Sequence, residues 1–311
     1  MLIKLNHQLF FLVALILSLK LCCLKAQNTL GLLDNKSDKA LVAIDDFKGI
    51  LVKQPVKISG YFHYIDSLVS HYDSLTPYTL TEHILVRANP WIIDTLKNTD
   101  YYRMKARDSF VYNQKDLIVL REGNTINIPD SLQVNQLKNA FNKTRIDINI
   151  PEYKLRIYED SVLLYEFPVR VGKNQSKYLK MSGRIQDLKT KTGEGHIVNH
   201  VRNPRYVNPV NNHQYFVTKR DDGEVTRLPQ IPFIETVING LRYGQLIHPT
   251  TNPITLRKAY SNGCIGTNEG DAWVIYYYAP IATKIEIRYQ LMVVNKEGET
   301  IVLEDIYGKG E

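Results

Sequence analysis

One cysteine and a histidine upstream of it offer the clearest chemistry in this sequence. Cys264 lies in the glycine-rich segment Ser261-Asn262-Gly263-Cys264-Ile265-Gly266, and His248 ends the apolar run that precedes this segment. A thiol with an ordinary pKa of about 8.5 is only a few per cent ionised at neutral pH, so a nucleophilic cysteine needs a base or a positive field. The pair therefore predicts nucleophilic catalysis by Cys264, with His248 as its general base.

The neighbours of Cys264 fit acyl transfer. Gly263 lets the backbone approach a substrate carbonyl, and the amides of Gly263 and Cys264 are expected to form an oxyanion hole. Ser261 and Asn262 offer side-chain hydrogen bonds beside it. The second ring nitrogen of His248 needs an acceptor, and with no carboxylate nearby in the sequence we expect a backbone carbonyl.

A helix is predicted just after the cysteine. Thr267 or Asn268 can cap it, an apolar stripe follows, and Ala279-Pro280 ends it. Because the positive end of a helix dipole favours thiolate over thiol, Cys264 is expected to benefit from it. Trp273 and the tyrosines at 276–278 are expected to pack in the core and at the surface rather than to bind a ligand.

Residues 1–26 read as an export signal. Lys4 supplies the positive start, the stretch 9–19 is apolar, and a small-residue cleavage site precedes Gln27. We therefore expect an exported protein of the periplasm or cell envelope, in which Cys264 is the only cysteine left. Membrane association is expected only if Cys22 or Cys23 carries a lipid.

The composition is that of an ordinary globular protein, with 44% hydrophobic and 23% charged residues. The formal charge of +7 falls to +4 without the three lysines of the signal (7 − 3). Such a mild and scattered charge does not indicate nucleic-acid binding. Neither His-Glu-x-x-His nor Cys-x-x-Cys occurs, so we expect no metal, and no cofactor is predicted.

The chain changes character near residue 142, which predicts an α+β protein. Residues 27–141 show helical spacing and are expected to form a mostly helical N-terminal domain, which weakly resembles a LysM wall-binding module. Residues 142–311 are mainly β-rich. Two hairpins are predicted there, one from strands at 153–158 and 162–171, the other from strands at 284–294 and 299–303.

The segment from Ile247-His248 to Ser261-Asn262-Gly263-Cys264-Ile265 resembles the signature of the YkuD-type L,D-transpeptidases, in which a histidine precedes a Ser-His-Gly-Cys element. Upstream, residues 153–158 and 167–173 resemble the family's first strands, and residues 191–195 resemble its Thr-Pro-x-Gly-x-Phe turn. The resemblance covers roughly residues 147–290 and predicts a mainly β catalytic domain within 142–311.

The resemblance implies a transferase of cell-wall biogenesis, a class that also shapes cells and is targeted by carbapenems. Cys264 would attack the amide before the terminal D-Ala of a peptidoglycan stem, forming a thioester that an amine then resolves. His248 would be the base, oriented by the Pro249 carbonyl. By the same analogy, substrate contacts are expected from three further residues: Lys173, His196 and Tyr206.

Some positions depart from the family pattern. Asn262 stands where a second histidine is usual, and Gly266 where an arginine often follows. The alternative interpretation is therefore a non-catalytic cell-wall-binding or scaffolding protein that retains the fold. A papain-like peptidase is disfavoured, because in that class the cysteine precedes the histidine.

Overall fold

The computed structural model describes residues 49–295 and 297–310 of the 311-residue chain. The predicted signal at 1–26 and the first part of the predicted helical region lie outside the described residues. Export, cleavage and lipidation of Cys22 or Cys23 therefore stay predictions. Within the described ranges, no helix has the length and apolar character needed to cross a membrane.

Most helices precede the large sheet, as predicted. They are α1 (Ile58–Asp73), α2 (Glu82–Arg87), α3 (Pro90–Lys97), α4 (Tyr101–Lys105), α5 (Ser131–Lys143) and α6 (Glu269–Tyr278), with 3-10 turns at Gln114–Asp116 and Pro253–Thr255. Three of them are capped: the side chains of Thr81, Asp100 and Asp130 accept hydrogen bonds from amides in the first turns of α2, α4 and α5. Asn268 occupies the N-cap position of α6, as predicted, but its side chain makes no capping hydrogen bond.

The strands fall into one large sheet and several short ladders. They are β1 (Ile50–Leu51), β2 (Val56–Lys57), β3 (Ile118–Leu120), β4 (Thr125–Ile126), β5 (Thr144–Asn149), β6 (Lys154–Glu159), β7 (Val162–Pro168), β8 (Val171–Gly172), β9 (Ser176–Leu179), β10 (Arg184–Asp187), β11 (Gly193–Val201), β12 (Tyr206–Val207), β13 (Gln214–Tyr215), β14 (Val217–Lys219), β15 (Val225–Arg227), β16 (Phe233–Ile238), β17 (Leu246–Pro249), β18 (Ala259–Ser261), β19 (Ile265–Thr267), β20 (Lys284–Arg288), β21 (Met292–Val294) and β22 (Thr300–Val302).

The large sheet has eight strands in the order β19-β17-β16-β11-β20-β5-β6-β7. It is mixed, because β17 pairs in parallel with β19, and β20 with β5, while the other neighbours are antiparallel. With the helices packed against it, the molecule is α+β, as predicted. The β6–β7 hairpin is also confirmed.

The second predicted hairpin is partly wrong. The apolar stretch 284–294 is not one strand: β20 lies inside the large sheet between β5 and β11, and the chain then leaves the sheet. Only the short strands β21 and β22 form the hairpin. Periodicity alone did not reveal the break, because both pieces share the same alternating pattern.

Helix α6 is buried on nearly all sides, since it packs against α2 and α3 on one side and against β17 on another. Trp273, Tyr276 and Tyr277 are core residues, as predicted. Leu85 and Leu96 of the N-terminal helices belong to the same continuous core. The helices at 58–143 therefore share one hydrophobic core with the large sheet, while the division into domains at residue 142 and the LysM likeness stay predictions.

A buried ion pair joins the β14–β15 hairpin to the start of α6. Arg220 Nη1 donates to Glu269 Oε1 at 2.5 Å, and the two side chains are 0% and 2% exposed. The guanidinium also bonds Thr226 and Gln114 and lies over the Tyr101 ring. All the polar edges of this arginine are thus occupied inside the protein.

Replacing this arginine should be strongly destabilising. The Arg220→Met change leaves the Glu269 carboxylate buried without its countercharge, so we expect the free energy of unfolding to fall by about 3–5 kcal/mol in urea denaturation. Lys143→Met is the matched control, because it breaks an exposed pair with Asp160 and should cost less than about 1 kcal/mol. Equal losses in the two variants would contradict the role assigned to the buried pair.

Candidate active site

A cavity of about 960 Å³ opens beside the first residue of β16, strand β17 with the residues just before it, and the loop between β18 and β19. Its outer walls are the β9–β10 hairpin and the segment 205–215. These two walls touch, since the amides of Lys180 and Met181 donate to the carbonyls of Val210 and Pro209. The cavity is thus a partly open cleft large enough for several residues of a peptide.

Cys264 sits at the end of a tight loop between β18 and β19. The Ser261 hydroxyl donates to the Cys264 carbonyl at 2.5 Å and accepts from the Gly263 amide at 3.2 Å. Gly263 has φ 108°, a conformation that favours glycine. The cysteine is a free thiol that lines the cavity and is partly accessible.

The loop changes one expectation about the oxyanion hole. The Gly263 amide is already bonded to Ser261, so it is not free to serve as the second donor. The Cys264 amide forms no hydrogen bond within the part of the chain that the structure describes. Of the two predicted donors, only the Cys264 amide is therefore available to an incoming oxygen.

His248 is held in one orientation on β17. Its Nδ1 lies 2.9 Å from the Pro249 carbonyl oxygen. Because a carbonyl can only accept, Nδ1 carries the proton and Nε2 keeps the lone pair that a base requires. The Phe233 ring packs against the imidazole at 5.0 Å. Burial, followed by the charge of Arg170, lowers the pKa of His248 to about 4.

The sheet brings the two residues together. His248 is paired with Gly266 across the parallel β17–β19 ladder, and Cys264 is two residues before Gly266. Cys264 directly precedes β19, and its side chain lines the same cavity as that of His248.

The helix-dipole expectation is wrong. Strand β19 stands between Cys264 and α6, which begins at Glu269, so the cysteine lies about 10 Å of strand away from the helix. The dipole effect fades within the first turn. Burial instead raises the pKa of Cys264, opposed by a hydrogen bond from the Leu246 backbone and by the charge of Arg170.

The other predicted site residues divide into two groups. Lys173, Tyr206 and Asn262 line the cavity with Cys264 and His248. The Tyr206 hydroxyl, however, donates to the Pro229 carbonyl, and the Lys173 ammonium lies over the Tyr260 ring. His196 is elsewhere: it is exposed on β11 and lines a separate surface cavity with Arg145 and Glu286.

A hydrogen-bond network that supports the cysteine loop was not predicted from the sequence. The Thr190 hydroxyl donates to the Gly263 carbonyl at 3.1 Å and accepts from the Gly172 amide at 2.8 Å. Tyr307 accepts from the Thr190 amide and donates to the Gly172 carbonyl. No sequence signal marks these contacts, because they join residues 117 and 135 positions apart.

In residues 49–295 and 297–310, no group of three or more histidine, cysteine, aspartate or glutamate side chains could hold an ion.

Comparisons with known proteins find similarity in the region that contains the site. Residues 143–287 match the family model described as YkuD, the L,D-transpeptidase catalytic domain. No curated protein matches the sequence. Among solved structures, an L,D-transpeptidase from Mycobacterium smegmatis is 13% identical, covering 47% of this chain and 58% of its own, with a TM-score of 0.32.

Two further solved structures are similar at the same level. An L,D-transpeptidase from Xylanimonas cellulosilytica is 12% identical, with 66% of this chain and 92% of its own covered and a TM-score of 0.35. One from Mycobacterium tuberculosis is 15% identical, with 47% and 57% covered and a TM-score of 0.29. This chain thus spans little more than half the length of the M. smegmatis and M. tuberculosis chains.

The Thr190 network makes a testable prediction. Thr190→Val keeps the side-chain shape but leaves the Gly263 carbonyl and the Gly172 amide without their partner, so unfolding free energy should fall by about 1–3 kcal/mol. Amide hydrogen exchange across residues 261–265 should rise with it. Thr218→Val, which removes a hydroxyl pair with Thr251, is the control. Unchanged exchange in the cysteine loop would contradict the supporting role.

Proposed function

Because residues 143–287 match the family model of the YkuD L,D-transpeptidase catalytic domain, we propose that the protein is a cysteine-dependent L,D-transpeptidase acting on peptidoglycan stem peptides. One observation carries the proposal. Cys264 and His248 face the same cavity, and the Pro249 carbonyl leaves the imidazole with Nε2 as its basic nitrogen. That arrangement pairs a nucleophile with an oriented base.

The first half-reaction is acylation of the enzyme. His248 Nε2 takes the proton from Cys264 Sγ, and the sulfur attacks the carbonyl carbon of the amide before the terminal D-Ala. The Cys264 amide is placed to donate to the oxygen that becomes negative. The C–N bond then breaks, the imidazolium returns its proton to the departing amine, and a thioester remains.

The second half-reaction releases the acyl group to an acceptor amine. His248, neutral again, takes a proton as the amine attacks the thioester carbonyl, and the Cys264 sulfur leaves and regains its proton. The side-chain amine of a diamino acid in a neighbouring stem would yield a cross-link. Another amine would yield attachment of that group.

The starting charge state favours general-base catalysis. Burial raises the pKa of the Cys264 thiol and lowers that of His248 to about 4, so both groups rest neutral at pH 7. The proton therefore moves as the sulfur attacks, rather than before substrate arrives.

The surroundings suit a wall substrate. Arg170, Lys173, Lys189 and Arg205 line the cavity, which makes it favourable for peptides that carry carboxylates. Such a substrate lies outside the inner membrane, in keeping with the proposed export to the periplasm or cell envelope.

Intact-mass analysis tests the function directly. Purified protein incubated with tetrapeptide muropeptides should show a thioester adduct and cross-linked product, and a carbapenem should add once, at Cys264. Cys264→Ser should form no carbapenem adduct. Ser109→Ala, a substitution away from the cavity, is the control and should form the adduct as wild type does. Binding of wall material by wild type without any adduct or product would instead support the scaffolding alternative.

His248 should control the rate and its pH dependence. His248→Ala should slow acylation by a carbapenem about 10²–10⁴-fold, the usual contribution of a general base. In wild type the acid limb should fall near pH 4, since the depressed pKa keeps the imidazole neutral above that value. His71→Ala, on the exposed face of α1, should keep both rate and profile. An unchanged rate in His248→Ala would assign the base elsewhere.

A further inference from the structure

Arg170 lies beside the candidate site residues Cys264 and His248 and lines the same cavity. Arg170, between β7 and β8, pairs with Gly266: the Arg170 amide donates to the Gly266 carbonyl at 2.9 Å, and the Gly266 amide donates back at 3.0 Å. On its other side Gly266 pairs with His248. Paired residues on neighbouring strands point to one face, so Arg170 and His248 flank Gly266 on one face. Both line the cavity that Cys264 also lines.

Gly266 makes room for the arginine side chain. A Cβ at Gly266 would stand 2.6 Å from Arg170 Cγ and 2.9 Å from Cδ. The stem of Arg170 therefore lies across Gly266, which carries the guanidinium from its own strand toward His248 and Cys264. Its charge acts on both groups, lowering the pKa of each.

The guanidinium lacks an acidic partner. Arg170 Nη1 donates to the Thr255 hydroxyl at 3.2 Å, while the buried Nε has no acceptor. No carboxylate in the described ranges forms an ion pair with it. Asp187, the acidic residue that lines the cavity, forms its ion pair with Lys191 at 2.6 Å instead. A buried guanidinium is unfavourable unless something compensates its charge, and an anionic ligand would do so.

We propose that Arg170 forms an anion-binding subsite next to Cys264, which receives a free carboxylate adjacent to the scissile amide of the acyl donor. The identity of the donor rests on the proposed function, whereas the subsite rests on the Arg170–Gly266 geometry. A guanidinium binds a carboxylate through two parallel hydrogen bonds, so the subsite would orient the donor as well as attract it. Donors amidated at that position would be disfavoured.

Two alkylating reagents test the subsite without any wall substrate. Iodoacetate carries a carboxylate and iodoacetamide does not, so the ratio of their rates at Cys264, followed by intact mass, reports attraction of an anion. Arg170→Gln should lower the iodoacetate-to-iodoacetamide ratio on the order of tenfold, the effect expected from losing one close cation. Arg170→Lys should keep most of the ratio, and Arg242→Gln, which removes an exposed arginine, should keep all of it.

Gly266→Ala is the second variant, because it keeps the charge of Arg170 but displaces its aliphatic stem. The ratio of the iodoacetate rate to the iodoacetamide rate should therefore fall in this variant too. If Arg170→Gln slows both reagents equally, the residue is structural and the subsite is overturned.

With tetrapeptide donors, Arg170→Gln should raise the KM of donors with a free terminal carboxylate about tenfold and leave the KM of donors with a terminal amide unchanged. If wild type uses neither donor, the proposed function fails, yet a selective loss of iodoacetate reactivity would still support the subsite.

Discussion

The parallel pairing of β17 with β19 is the constraint on which the site depends. It sets His248 opposite Gly266 and thereby fixes how far the imidazole lies from Cys264. A shift of one residue in this register would turn His248 or Cys264 to the other face of the sheet. The register is secured from both sides, because Gly266 also exchanges two hydrogen bonds with Arg170, and the Thr250 amide bonds the Thr267 carbonyl beyond it.

Burial gives the site its electrostatic character. It acts on both candidate catalytic groups in the direction of neutrality, raising the pKa of the Cys264 thiol and lowering that of the His248 imidazole. A neutral thiol resists oxidation better than a thiolate, which suits a lone cysteine in the predicted export compartment. The charge that offsets this burial comes from Arg170 rather than from a helix end, because β19 separates Cys264 from α6.

Elements far from the cysteine in sequence hold its surroundings. Thr190 and Tyr307 brace the carbonyl side of the Cys264 loop, and the Arg220–Glu269 pair anchors the β14–β15 hairpin to α6. Helix α6 is itself enclosed by the N-terminal helices, whose Glu82 accepts hydrogen bonds from Tyr276 and Tyr277. The N-terminal region therefore contributes to the scaffold on which the candidate site is built.

Local patterns in the sequence predicted part of the fold: the helix after the cysteine loop, the β6–β7 hairpin and the α+β class follow from spacing and turn chemistry. The types of residue needed for the chemistry, Cys264 and His248, were also readable, because few side chains can serve as nucleophile and base. Only the tertiary structure decided which groups join them. Strand pairing separated Cys264 from the start of α6, placed His196 at another surface cavity, and brought Arg170 beside Gly266. Long-range side-chain contacts added Thr190 and Tyr307. Such contacts depend on register between distant segments, which no local periodicity encodes.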